Sequence, residues 1–561
     1  MAGLSNSDSL LVTRRRLLQG ALAAGALGVL AACSDGGAAP TSGSGNATSG
    51  SGSAAAGGGK ALDTVNWSFN KPALALDPIK AGDLASEMSI ASSVQGLVVY
   101  DATGAIKPYL AKSWTIPDPT TYVFQIRENV PFWDGSIMTM EDVMYSIDRI
   151  QNGAGTIFGG LFNKDSIASV TQTGEMEVTF KIPAPNPEFL GLCNFFLIGQ
   201  KKYTQAHESS LGTPSALGMY TGPYIMTEYV PNQSLTMKVF DNYWGSPKGS
   251  AQTVVMNYIT DDNTRMVGLE SGQLDGAFNV APANARPWSQ IKNIGVQVKP
   301  NLQVGYISMD VTQAPWSDIH VRRAVAMCCD TEGIVKSIMN GVPEAATAIT
   351  PADEWASLGL TADQAAAKYA TFTQYKFDIA AAKAELAKSS VPNGFTAEIP
   401  IPPAPAELPL IAQSLSQNLK QIGITLNIKQ VQDTEYRSGW FTQKKNTGIQ
   451  LVENGPTVND PADFPSIMLG KNAIVAGGFN SANFIDAKAE ELITSQATLT
   501  DKAARIDALM QLLAIAQDQV PYVMLFWNKG VMALNESRVQ YTGFHPSWYC
   551  IQPWASFISG V

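Results

Sequence analysis

The residues able to do chemistry are few, and they do not assemble into a catalytic set. His207, His320 and His545 are scattered along the chain, and no two of them stand one helical turn apart as a zinc site on a helix requires. No Gly-x-Ser-x-Gly elbow occurs outside the Gly/Ser-rich segment near the N-terminus, and no glycine loop has the form that cradles phosphate. Hydrolytic and metal chemistry are therefore set aside, and no cofactor is called for. The sequence offers recognition chemistry instead. The stretch from Glu453 to Asp460, with Asn454 and Gly455 in it, is too polar and irregular for a core strand. Asn454 can recognise a ligand through its amide, and Tyr436, Trp440 and Trp527 can do so through aromatic faces, which suit a peptide or a sugar equally. Trp440 and Trp527 serve core packing just as well, given the area a tryptophan buries.

Elements that could hold such residues alternate along the chain. Tyr122, Phe124 and Ile126 read as a half-buried strand, as do Met176, Val178, Phe180 and Ile182. Thr139 can cap a helix with Glu141 and Asp142 in its first turn and Val143, Ile147 and Ile150 inward. Asp318 opens another, with Val321, Val325 and Cys328 inward, Arg322 and Arg323 solvated, and His320 in water. Leu415, Leu419 and Ile422 share a helix face that Gly423 can end, and Ile424, Leu426 and Ile428 then form a strand. Thr500 caps a long helix bearing Ile506, Leu509 and Leu513, Pro521 stops it, and Tyr522 to Trp527 is a buried strand. The expected class is α/β with some mixed pairing.

The N-terminus reads as an address. Thr13-Arg14-Arg15-Arg16-Leu17-Leu18 is a basic region of the twin-arginine type, and the uncharged run from Leu17 to Ala32 that follows is too short for a comfortable membrane span. Leu30-Ala31-Ala32-Cys33 looks like a bacterial lipobox. Residues 1–32 are then a signal peptide, and Cys33 carries the acyl chains that anchor the chain on the outer face of the cell membrane. Residues 33–61, almost wholly Gly, Ser, Ala and Thr, form a flexible tether.

About 500 residues remain, enough for two or three domains. Apolar residues make up 45% of the chain and charged ones 15%, a globular balance. The formal charge of −10 becomes −12 once residues 1–32, with three arginines and Asp8, are removed. That acidity argues against nucleic acid as a partner. Cys193, Cys328, Cys329 and Cys550 are expected mainly as buried thiols, because adjacent Cys328 and Cys329 rarely pair. A disulfide from Cys193 or Cys550 stays open.

The order of motifs resembles the family 5 extracellular solute-binding proteins, which include dipeptide, oligopeptide and nickel binders. The resemblance rests on Leu76-Asp77-Pro78, then Pro108 to Trp114, Tyr122 to Arg127, Pro131-Phe132-Trp133-Asp134-Gly135 and Thr139 to Ile147. It continues with Thr221-Gly222-Pro223-Tyr224, Asn242-Tyr243-Trp244-Gly245, Ser271 to Asp275, Val321-Arg322-Arg323-Ala324 with Asp330, and Tyr375 to Asp378. These residues shape turns and caps more than they touch ligand. The resemblance implies a periplasmic-binding-protein-like fold of two lobes with a hinge. Lobe one would comprise 62–98, 217–304 and 519–561, with an extra subdomain at 99–216, and lobe two 305–518. It implies a ligand held between the lobes and passed to an ABC permease, without catalysis. It places Phe69, Asn70 and Lys71 at the cleft, facing a lobe-two loop that ends in Asp460-Pro461. In peptide binders an Asp four residues before that proline holds the peptide ammonium. Here the position is Thr457, which cannot make that charge-assisted bond. Glu453 or Asp460 are the substitutes at hand, or the ligand is a blocked peptide, an oligosaccharide or another solute without a free amine. A sensory ligand-binding subunit would have the same sequence features.

Overall fold

The computed structural model describes residues 60–561, except 102–103, 154–155, 157, 160–161, 164–165, 403–404, 406, 443–447 and 544–550, and except the side chains of 433, 434, 440 and 442. Cys33 and the signal and tether segments lie outside the described residues, as does Cys550.

The first strand, β1 (Leu62–Phe69), begins where the apolar pattern of the sequence does. It runs parallel to Ala251–Tyr258, which continues antiparallel through Ser234–Val239 to Tyr224–Val230. On its other side β1 meets Gly276–Ala277. This part of a nine-stranded sheet shares a core with a separate antiparallel sheet of four strands, Ala111–Asp118, Thr121–Ile126, Glu177–Lys181 and Ser169–Gly174. Tyr122, Phe124 and Ile126 are buried as their alternation requires. Helix Met140–Gln151 has the expected start, a capping box between Thr139 and Asp142. The buried Asp77 carboxylate receives both terminal nitrogens of Arg149 from that helix at 2.8 Å, so a residue read as part of a turn also ties the small sheet's domain to the large sheet.

A second set of cores holds only residues from 304 to 527. It contains α1 (Glu407–Lys420), the parallel pair Thr396–Ile401 and Thr425–Gln430, α2 (Asp463–Leu469) and α3 (Lys502–Gln519). Several expectations are corrected here. Asp501 caps α3, accepting from the Ala504 N–H, in place of Thr500. Ile428 is exposed, because the two-stranded pair leaves its far end open to solvent. Arg322 is buried: its Nε and Nη2 donate to the Gln519 carbonyl at the C-terminus of α3 and its Nη1 to the Trp316 and Ser317 carbonyls, the placement that favours a cation. His320 is paired, with Nδ1 2.8 Å from Glu385. Cys193, Cys328 and Cys329 are buried and form no disulfide.

Two long antiparallel strands join the cores. β2 (Ile294–Met309) and β4 (Tyr522–Asn535) pair from Ile294↔Asn535 to Pro300↔Lys529, lose register, and resume at Val304↔Trp527. The outer halves, including Ile294, Val531 and Ala533, pack with the first set of cores; the inner halves, including Tyr306, Ile307, Met524 and Phe526, pack with the second. β3 (Ile449–Asn454) pairs only with the inner half of β2. At the break Leu302 takes a left-handed φ of 59°, uncommon for a side chain of its kind. Next to it Gly305 is forced by packing, since a Cβ there would lie 2.2 Å from the Phe526 ring. Gly305→Ala should therefore destabilise the chain by about 1–3 kcal/mol through overpacking at the crossing. A lowered urea midpoint with an unchanged slope is the expected result.

Candidate functional site

The crossing of β2 and β4 brings together residues from both sets of cores. β3 delivers Glu453 opposite Gly305 and Asn454 opposite Val304, at the end of the ladder where pairing stops. Both are half-buried, and neither Glu453 Oε1 nor Asn454 Nδ2 has a hydrogen-bond partner. Gly455, also half-buried, carries the chain away from the strand. From the other side, β1 ends at Phe69 and its loop presents Asn70 and Lys71. Phe69 is buried in the first core and Asn70 accepts from Asn279 Nδ2 at 2.9 Å, while Lys71 is exposed.

Electrostatics link the two sides. Burial pushes the Glu453 carboxyl up to about 8, with Glu407 at the start of α1 adding to the rise and Lys71 opposing it. Burial raises Glu407 too, with Asp262 adding and Lys71 opposing. One cation of the first core thus faces two carboxylates of the second. Elsewhere the two parts touch directly. Asn459 Nδ2 donates to Gly104 O at 3.3 Å, and Asn340 Nδ2 to Ala283 O at 2.7 Å.

Most of the remaining predicted residues are engaged with neighbours in the fold. Tyr436 is buried, its hydroxyl donating to Leu451 O at 2.6 Å. Trp527 is buried beside Tyr369 with Nε1 on the Ala348 carbonyl. Trp440 falls in the turn Ser438–Thr442, and its side chain lies outside the described residues. Asp460 cannot serve as a free anion, because Arg505 holds both its oxygens at 2.7 and 3.0 Å. Thr457 is buried, and its N–H donates to Asp463 Oδ2 at 2.7 Å.

Sequence reasoning missed Glu407, Asp463 and Glu188. Asp463 looks like an ordinary first-turn acid of α2, and Glu407 like one of α1. Glu188, in Asn186-Pro187-Glu188-Phe189, has no local signal at all. Glu188, Thr457 and Asp463 line one cavity of about 250 Å³ between the 99–216 region and the second core. Among the described residues no His, Cys, Asp and Glu group has the geometry of a metal site.

Residues 105–475 match the family model described as "Bacterial extracellular solute-binding proteins, family 5 Middle". The chain belongs to family 5 of the bacterial extracellular solute-binding proteins. It is thus a binding protein and not an enzyme. It is 25% identical over 453 residues to the dipeptide-binding protein of Escherichia coli K12, covering 75% of this chain and 81% of that one. Its fold is similar to that of the periplasmic binding protein DppA from Helicobacter pylori in complex with the peptide STSA, with a TM-score of 0.76 at 19% identity over 89% of this chain and 98% of that one. It is also similar to AgaA from A. tumefaciens R10 in complex with agropinic acid, with a TM-score of 0.74 at 20% identity over 89% and 98% of the respective chains. The α/β, periplasmic-binding-protein-like class expected from the sequence is the one found.

The Glu453 shift carries a sign that can be tested. A carboxyl whose folded pKa stands above its unfolded value binds an extra proton in the native state, so stability declines as pH rises from about 4.5 to about 8 and is level beyond. Glu453→Gln should melt higher than the parent chain at pH 8.5 and close to it at pH 4.5. Melting curves across that range check the prediction, and a constant offset would contradict it.

Proposed function

We propose that this chain captures a small solute, most simply a peptide, by closing two lobes over it, and delivers it to the permease of an ABC importer. The observation that carries the reading is the β2–β4 crossing. Two strands run through both sets of cores there, their register breaks at 300–304, and unpartnered Glu453 and Asn454 atoms sit beside the break with Lys71 opposite. A paired ribbon with a local break bends more readily than either core, which is what hinge closure needs. In this reading lobe one is 62–98, 217–304 and 519–561, its subdomain is 99–216, and lobe two is 305–518. Glu453, Asn454, Gly455, Thr457 and Lys71 face the ligand, while Tyr436, Trp527 and Phe69 support the walls. The dipeptide and STSA named for the relatives favour a peptide.

A non-peptide solute is the second reading. Thr457 stands where peptide binders place a carboxylate, and one relative is described with agropinic acid. A thermal-shift screen of the purified chain against free peptides, N-acetylated peptides and oligosaccharides separates the two. A ligand at about 100 times its Kd stabilises the native state by roughly 2.7 kcal/mol. Stabilisation by free peptides supports the first reading, and a response to blocked peptides or sugars alone supports the second. No response to any solute would count against capture itself.

Anchoring belongs to the same proposal. The leader of residues 1–32 and the lipobox cysteine place the binding body on the outer face of the membrane at the end of a tether. Cys33→Ala should move the exported protein from the membrane fraction to the soluble one, as read by fractionation and immunoblot.

A further inference from the structure

The cavity between the 99–216 region and the second core has an unusual charge balance. Asp463 is 1% exposed and lines the cavity, yet its Oδ1 has no hydrogen-bond partner. Its Oδ2 accepts from the Thr457 N–H at 2.7 Å. Glu354 is wholly buried with both carboxyl oxygens unpartnered, next to the segment where Thr350 Oγ1 donates to Pro461 O at 3.2 Å. Glu188, from the 99–216 region, lines the same cavity. Asp460 completes the group, and among the described residues it alone has a cation, Arg505. Four carboxylates thus share one described guanidinium, already engaged in a bidentate pair. Buried carboxylates without partners are costly, and each one that a fold keeps calls for a functional explanation. Burial holds Asp463, Glu188 and Glu354 well above the ordinary carboxylate range; Asp460 raises all three further, Asp463 adds to the rise of Glu188 and Glu354, and Glu188 adds to that of Glu354. The remaining walls are largely apolar, with Phe162, Phe189, Leu192 and Ile467 among them.

We propose that this cavity is a subsite for a cationic group of the ligand, an ammonium or guanidinium, clasped between Glu188 on one side and Asp463 with Thr457 on the other. The proposal rests on capture between lobes and specifies the chemical class of the captured solute. The volume suits one side-chain-sized group and not a whole drug-sized molecule. The apolar walls accept the carbon stem that carries such a cation. The absence of metal-site geometry among the described residues favours an organic cation. Because Glu188 and Asp463 belong to different parts of the chain, the cation bonds to both only when they are together. Its charge thereby favours the closed form.

The test uses the purified full chain and two pairs of probes that differ by one charge. One pair is trialanine and N-acetyltrialanine; the other is N-acetyl-Ala-Lys-Ala and its norleucine isostere. Isothermal titration should show the cationic member of at least one pair binding tenfold or more tightly, with the advantage lost in both Asp463→Asn and Glu188→Gln. Without ligand at pH 8, both variants should melt at or above the parent chain, since each removes one of several unpaired like charges. Equal affinity within both pairs, or an advantage that survives both substitutions, would overturn the subsite. So would a lowered melting point in both unliganded variants, because it would mean the carboxylates already have partners. If neutral and charged probes bind alike, only the subsite fails. If neither they nor any solute of the wider screen binds, capture between lobes fails with it.

Discussion

Everything in this molecule hangs on the backbone pairing of β2 with β4. Each strand belongs to two cores, so the ribbon has to satisfy two packings that need not share a common register. It does so by giving up the ladder between Pro300 and Val304, where the two sides re-enter two residues out of step. Interrupted pairing costs hydrogen bonds locally, but it leaves the cores on either side intact. The end of β3 falls at the same break: Glu453 and Asn454 form its last pairs with β2, and their side-chain atoms Oε1 and Nδ2 are left without partners there.

Charge distribution follows from that geometry. Residues that stabilise each core separately are paired well, as with Asp77 and Arg149 or Arg322 and the end of α3. Residues facing the space between cores are not. There the acids outnumber the bases, with Lys71 against Glu407 and Glu453 at the crossing, and Arg505 against four carboxylates near the 99–216 region. Such an imbalance makes a closed form without ligand expensive and a closed form with a compensating group favourable, the differential that a population shift requires.

Much of the fold was legible because its local rules agree with each other. Period-two patterns at 122–126 and 178–180, a capping box at Thr139 and a stop at Pro521 all specify their elements without help from distant residues. Where reading failed, a distant partner decided the outcome. Arg322 looks solvated until the carbonyls of α3 arrive, and His320 looks free until Glu385 does. The site was less legible still. Asp460 reads as an available anion, and only the fold supplies Arg505. Glu188 and Asp463 are 275 positions apart and meet across a cavity, a juxtaposition no periodicity encodes.

The three sulfurs of Cys193, Cys328 and Cys329 lie too deep for solvent and bond to no other sulfur. Among the described residues, then, no cross-link waits for an oxidant, and each thiol works as a small apolar packing unit. Stability of this kind comes from packing alone and is indifferent to the redox poise of the compartment. The described body can reach its final shape beside glutathione as readily as outside the cell, so the order in which it folds and crosses a membrane is free to be either.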